Sequence, residues 1–130
     1  MSWFRRTPPF EDSQFGRLTR TGKMWLPSAP AGSLGVVIVG GRERPDPRGV
    51  EIARQLLNDA GKLVPIASAF VAQDQHAMSF IEGHGAVECD GFTVYESGKF
   101  AVEFSLADWP DLMISVQFEG GVPYAVELGD

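Results

Sequence analysis

The sequence predicts an α+β fold, a mainly antiparallel β-sheet packed on one or two central helices. Three observations predict it. Segments with strand periodicity fall into two groups, an N-terminal meander and a C-terminal four-stranded meander. The stretch between them has helical periodicity. The order strands, helices, strands lacks the regular alternation of a doubly wound parallel fold. At 130 residues the chain suits a single domain, 1–130, with a core of its own.

Residues 1–12 are expected to form an N-terminal arm. Phe15–Arg20 alternates apolar and basic residues, Thr21-Gly22 supplies a turn, and Lys23–Leu26 returns as a second strand. Pro27, Pro30 and Gly32 mark a loop. Leu34–Val39 is a nearly continuous β-branched run, the pattern of a strand covered on both faces. At Asp46-Pro47 a helix begins: the carboxylate can cap free N–H groups, and proline fits the first helical position. Val50, Ala53, Leu57 and Ala60 form its apolar stripe, widened by Ile52 and Leu56, and Gly61 occupies the place of a terminating glycine. Leu63–Ser79 suits a second helix from about Pro65, although Val64 and Val71 also fit a strand.

Four strands are expected beyond Val87: Phe92–Tyr95, Lys99–Leu106, Leu112–Phe118 and Val122–Leu128. Ser97-Gly98 and Gly120-Gly121 have hairpin-turn composition, and Asp108–Asp111 makes a longer link. Phe100, Val102, Phe104 and Leu106 share one face with Leu112, Ile114, Val116 and Phe118, and then with Val122, Tyr124, Val126 and Leu128. That face is expected to be core, because leaving each large apolar side chain in water forfeits roughly 1.5–3 kcal/mol. Ala101, Glu103, Ser105, Met113, Ser115, Gln117, Ala125 and Glu127 share the other face.

Charge is divided unevenly along the chain. Residues 1–60 hold nine Lys/Arg against six Asp/Glu, a net +3, and residues 61–130 hold two against eleven, a net −9. Such polarity shapes the field a partner meets before contact. The overall charge of −6 and pI near 4.8 argue against nucleic-acid binding, which needs cations to displace counterions from phosphates. Cys89 is the single cysteine, so no intramolecular disulfide forms. The first residues lack the apolar core of a signal peptide, and no apolar run is long enough to cross a bilayer. These features lead us to expect a cytoplasmic protein without membrane contact.

Asp12-Ser-Gln-Phe15-Gly16-Arg-Leu18, followed by Trp25, resembles the opening of a group of small bacterial α+β domains of unknown function. The shared layout continues with a strand, a helical middle and a closing meander. Part of that group is linked to contact-dependent or polymorphic toxins, so the resemblance implies a toxin-immunity role. The closing turns Ser97-Gly98-Lys99 and Glu119-Gly120-Gly121 depart from the group's acidic-glycine turns. The last strands also hold no histidine, so no ligand role for one carries over.

No catalytic residue, metal site or cofactor is assigned. His84, Cys89 and Asp90 are the cluster closest to chemistry, and they carry the alternative reading of a small-ligand-binding or hydrolytic domain. A cysteine nucleophile needs a base within hydrogen-bond reach, which proximity in sequence does not supply. His76 and His84 fit no zinc-ligand spacing. Gly40-Gly41 before a helix lacks the remaining residues of a phosphate loop. The functional expectation is a non-enzymatic interaction domain that binds a basic protein through an acidic sheet face. Its candidate residues are Glu103, Asp108, Trp109, Asp111, Glu119 and Glu127. Self-association through a sheet edge or Trp109 is the third expectation.

Overall fold

The computed structural model describes residues 7–28 and 34–129. Eight strands are present: β1 Phe10–Asp12, β2 Gly16–Thr21, β3 Met24–Pro27, β4 Gly35–Val39, β5 Val87–Val94, β6 Phe100–Leu106, β7 Trp109–Glu119 and β8 Val122–Gly129. Between β4 and β5 lie three helices: α1 Pro47–Asn58, α2 Ala60–Ala72 and α3 Gln75–Ile81. The strands form one sheet in sequence order, antiparallel throughout except where β5 lies parallel to β4. That exception follows from the connection. A parallel neighbour needs a long crossover, and the three helices provide it. The two meanders expected from sequence are therefore halves of one sheet, and the fold is α+β with three helices.

All three helices lie on one face of the sheet, with α1 over β4 and β5 and α2 crossing β6, β7 and β8. The core between the layers holds Leu18, Trp25, Ile38, Phe92, Val94, Val102, Ile114, Val116 and Phe118 from the strands. The helices add Val50, Ala53, Leu56, Ala67, Val71, Ala77 and Ile81. Phe100 and Phe118 stack with ring centroids 4.9 Å apart. Among the described residues, no helix lies over the opposite face of the sheet.

Helix α1 starts as its sequence dictates: the Asp46 side chain accepts a hydrogen bond from the Arg48 N–H and Pro47 opens the helix. Its end differs from expectation. Asp59, whose N–H bonds to the Gln55 and Leu57 carbonyls, closes α1 and at once begins α2, so Gly61 lies inside α2. Leu63–Ser79 is helical, divided at Gln73-Asp74, where the Asp74 side chain caps α3 through the Ala77 N–H. Pro65 stays within α2 at the cost of one backbone hydrogen bond.

Four further expectations are corrected. Only the helix-side residues of β4, Val36 and Ile38, are buried; Gly35, Val37 and Val39 face the uncovered side. The continuous β-branched run therefore does not mark cover on both faces. The Asp108–Asp111 link is shorter than expected: the turn is Ala107-Asp108, and β7 already begins at Trp109. Between β7 and β8 the register shifts, so Phe118 pairs with Pro123 while Gln117 pairs with Ala125, leaving Tyr124 as the extra residue. Val122 and Tyr124 are thereby released from the core and are 61% and 51% exposed. Finally, Phe10–Asp12 of the expected arm pair with Gly16–Leu18 as a strand; residues 1–6 of the arm, and Pro30 and Gly32 of the expected loop, lie outside the described residues.

The opening motif has a structural explanation. One Asp12 carboxylate oxygen accepts from the Gln14 and Phe15 N–H groups at 2.8 and 2.9 Å and from Arg54 Nη1 at 3.0 Å. The other oxygen is bonded by Arg54 Nη2. Arg54 comes from α1, so this bidentate pair ties the β1–β2 turn to the helix layer. Its guanidinium also lies 5.6 Å from the centre of the Phe15 ring. Gly16 takes a positive φ of 71° as the chain turns into β2. Leu18 and Trp25 are core residues, and Trp25 Nε1 donates to the Gly41 carbonyl at 3.1 Å. Asp12, Phe15, Gly16, Leu18 and Trp25 of the motif thus serve the fold.

Candidate interaction surface

The uncovered face of the sheet is built from side chains that alternate with the core positions. Pairing registers align them in rows across the strands. One row runs Gly35, Gly91, Glu103, Ser115, Glu127 from β4 to β8. The next runs Val37, Thr93, Ala101, Gln117, Ala125. Neighbouring strands lie about 4.8 Å apart, so Glu103 and Glu127, on either side of Ser115, stand roughly 10 Å apart.

Glu103 is held at the centre. Thr93 Oγ1 donates to one carboxylate oxygen and Ser115 Oγ donates to the other at 3.3 Å. Gln117 is only 5% exposed, and its amide donates to the Tyr95 hydroxyl at 3.3 Å and to Glu127 at 3.4 Å. At the edge of the same face Ser105 donates to Asp90 at 3.0 Å. Such a network fixes the carboxylates without neutralising them. Two ion pairs complete the face, Lys99 with Glu119 at 3.5 Å and Arg17 with Glu11 at 3.0 Å. Among the described residues, Asp90, Glu103 and Glu127 have no cationic partner within 4 Å.

The six residues singled out from sequence divide into two groups. Glu103, Glu119 and Glu127 lie on the uncovered face, Glu119 already paired with Lys99. Asp108, Trp109 and Asp111 lie at the β6–β7 hairpin, Asp108 and Asp111 exposed. Trp109 is half-buried against the core and lies against His84 with ring centroids 5.0 Å apart and ring planes tilted by 52°. Thr93, Ser115 and Gln117, which donate to the acids, and Tyr95, which accepts from Gln117, are not among the candidate residues expected from sequence. The available signal was the shared alternation that puts Ser115 and Gln117 in phase with Glu103.

Asp90 is the extra residue of a bulge between Cys89 and Gly91. Cys89 pairs with Phe104 and packs at the margin of the core, whereas Asp90 reaches Ser105 on the uncovered face. Burial pushes the Cys89 thiol above its ordinary pKa, aided by the nearby Asp90 and Glu103 charges against a lowering hydrogen bond from the Gly91 N–H. That is opposite to the activation a nucleophilic thiol needs. His84 is engaged with Trp109. Among the described residues no group of three or more His, Cys, Asp or Glu side chains is arranged to hold a metal ion. No helix among them is long and apolar enough to cross a membrane. Comparison with protein-family models, curated proteins and solved structures finds no match to this chain.

Proposed function

We propose that this protein is an interaction domain that docks a basic protein on the uncovered face of its sheet, in the manner of an immunity protein neutralising a toxin. The observation that carries this reading is the pairing of two properties on one surface. Among the described residues no helix covers the face, and the carboxylates of Asp90, Glu103 and Glu127 are hydrogen-bonded on it with no cation within 4 Å. Preorganised charge costs little ordering on binding and accelerates encounter with an oppositely charged partner. The Asp12–Trp25 segment resembles small bacterial domains of unknown function, part of which is linked to toxins, and that resemblance agrees with this role. The hairpin acids Asp108 and Asp111 extend the negative field but do not share the network.

The test is capture of a partner from the source cell, purification of that partner, and calorimetry against two double variants. Glu119→Lys/Glu127→Lys should weaken binding at least about tenfold, with a shallower salt dependence. Asp108→Lys/Asp111→Lys should weaken it less. Equal losses in both variants would mean that diffuse charge, not this face, directs binding.

A further inference from the structure

The row of residues through the centre of the uncovered face begins with two glycines, and the consequence is a hollow. Gly35 and Gly91 are register partners, and neither has a side chain to cover the backbone. Gly91 has no alternative: its φ is 144°, and a Cβ there would lie 2.0 Å from the Gly35 carbonyl oxygen. The hollow is also widened from the β3 side. Strands β3 and β4 pair at Met24–Val39 and Trp25–Ile38, and no pairing continues at Leu26 and Pro27. The result is a groove of about 250 Å³ walled by Leu26, Val37 and Met113, with Asp90 and Glu103 lining its β5–β6 side.

We infer that this groove receives an arginine or lysine side chain of the basic partner, a deepening that rests on the function proposed above. Its size is below the range of about 300–1,000 Å³ typical of cofactor and drug-sized ligands, so it suits a single side chain. Its chemistry has two parts. Leu26, Val37 and Met113 offer apolar surface to an alkyl stem, and Asp90 and Glu103 offer negative charge to the cationic head. Glu103 is fixed by Thr93 and Ser115, each occupying one of its oxygens and leaving further acceptor capacity on both. A long side chain with a charged tip matches that arrangement, whereas an apolar or anionic group leaves the carboxylates desolvated or repelled.

The test uses n-butylguanidinium as a probe of an arginine side chain and n-pentanol as the uncharged control, followed by amide NMR of the full chain. The expected result is a saturable shift of the Gly35 and Gly91 amides in the millimolar range with the guanidinium, and at least about fivefold weaker binding of the alcohol. Gly35→Leu should abolish the response. A Cβ at Gly35 meets only the Asp90 carbonyl oxygen, at an ordinary 3.5 Å, so this substitution fills the groove with little backbone strain. Asp90→Asn, on an exposed residue, should weaken binding at least about threefold and serves if Gly35→Leu fails to fold. Unsaturable shifts, equal binding of the alcohol, or wild-type affinity in Asp90→Asn would overturn the inference. If the Glu119→Lys/Glu127→Lys variant loses the partner while the glycine amides ignore the guanidinium, the groove fails and the docking face stands. If the guanidinium binds but charge reversal leaves the partner bound, the face fails and the groove remains a small-cation site.

Discussion

Arg54→Ala removes the cation from a carboxylate whose side chain is only 4% exposed. Breaking a fully buried ion pair in this way costs about 3–5 kcal/mol, because the remaining charge is left without compensation. Two features reduce that figure here. The Arg54 side chain is 25% exposed, and Asp12 keeps its hydrogen bonds from the Gln14 and Phe15 N–H groups. We expect a loss of about 2–3 kcal/mol at pH 7, including the contact with the Phe15 ring. With a urea m-value of about 2 kcal/mol/M, the unfolding midpoint should fall by about 1–1.5 M. The pH dependence carries a definite sign. Burial acts to raise the Asp12 pKa, but the Arg54 hydrogen bonds, the Phe15 and Gln14 N–H groups and the Arg54 charge outweigh it and hold the carboxyl below its ordinary range. A carboxyl depressed on folding stabilises the protein above its unfolded pKa of about 3.9, and that stability is lost as pH falls through the lower folded value. The gap between wild type and Arg54→Ala should therefore narrow below about pH 4. A cost under about 0.5 kcal/mol at pH 7, or a gap unchanged down to pH 2, would refute the assignment of this pair as the tie between the turn and α1.

Three further outcomes are expected. Gly91→Ala should destabilise by about 3 kcal/mol or prevent folding, since its Cβ strikes the backbone of β4 and its φ is unsuited to alanine; denaturant titration should show Gly35→Ala far milder. Gly61→Ala should raise stability by about 0.5 kcal/mol in the same assay, because Gly61 is helical and open space surrounds its Cβ position. Cys89 alkylation should be slower than that of a free thiol and should rise with a midpoint above about pH 8.5; a midpoint near 7 would reinstate the thiol as a candidate nucleophile.

Much of this architecture was legible in the sequence because local chemistry and tertiary context agree. Asp46-Pro47 marks a helix start that needs no distant partner, and the alternation of Phe100–Leu106 and Leu112–Phe118 survives because those strands are central and half-covered. The failures arise where a non-local relationship decides. The parallel pairing of β4 with β5 depends on the length of the helical crossover, so the run Val36–Val39 reads as two-sided burial when one side is open. Tyr124 follows the strand period in sequence, but the bulge opposite Phe118 reverses its direction. Gly61 has the composition of a helix stop, yet Asp59 closes α1 without a left-handed residue. At the candidate surface, Glu103 and Glu127 could be placed on one face from periodicity alone. Their wiring through Thr93, Ser115 and Gln117, and the hollow made by Gly35 meeting Gly91, require the register between strands distant in sequence.

The most direct test of the docking face compares two variants of equal charge for binding to an octa-arginine peptide at low and moderate salt. Glu119→Lys/Glu127→Lys reverses acids on the uncovered face, and Glu43→Lys/Glu82→Lys reverses exposed acids in the loop before α1 and at the end of α3; each moves the formal charge from −6 to −2. The first pair should lose at least about tenfold in affinity and the second less than about twofold. Equal losses from the two pairs would contradict it, because the peptide would then be sensing net charge and not the arrangement of carboxylates on the open sheet.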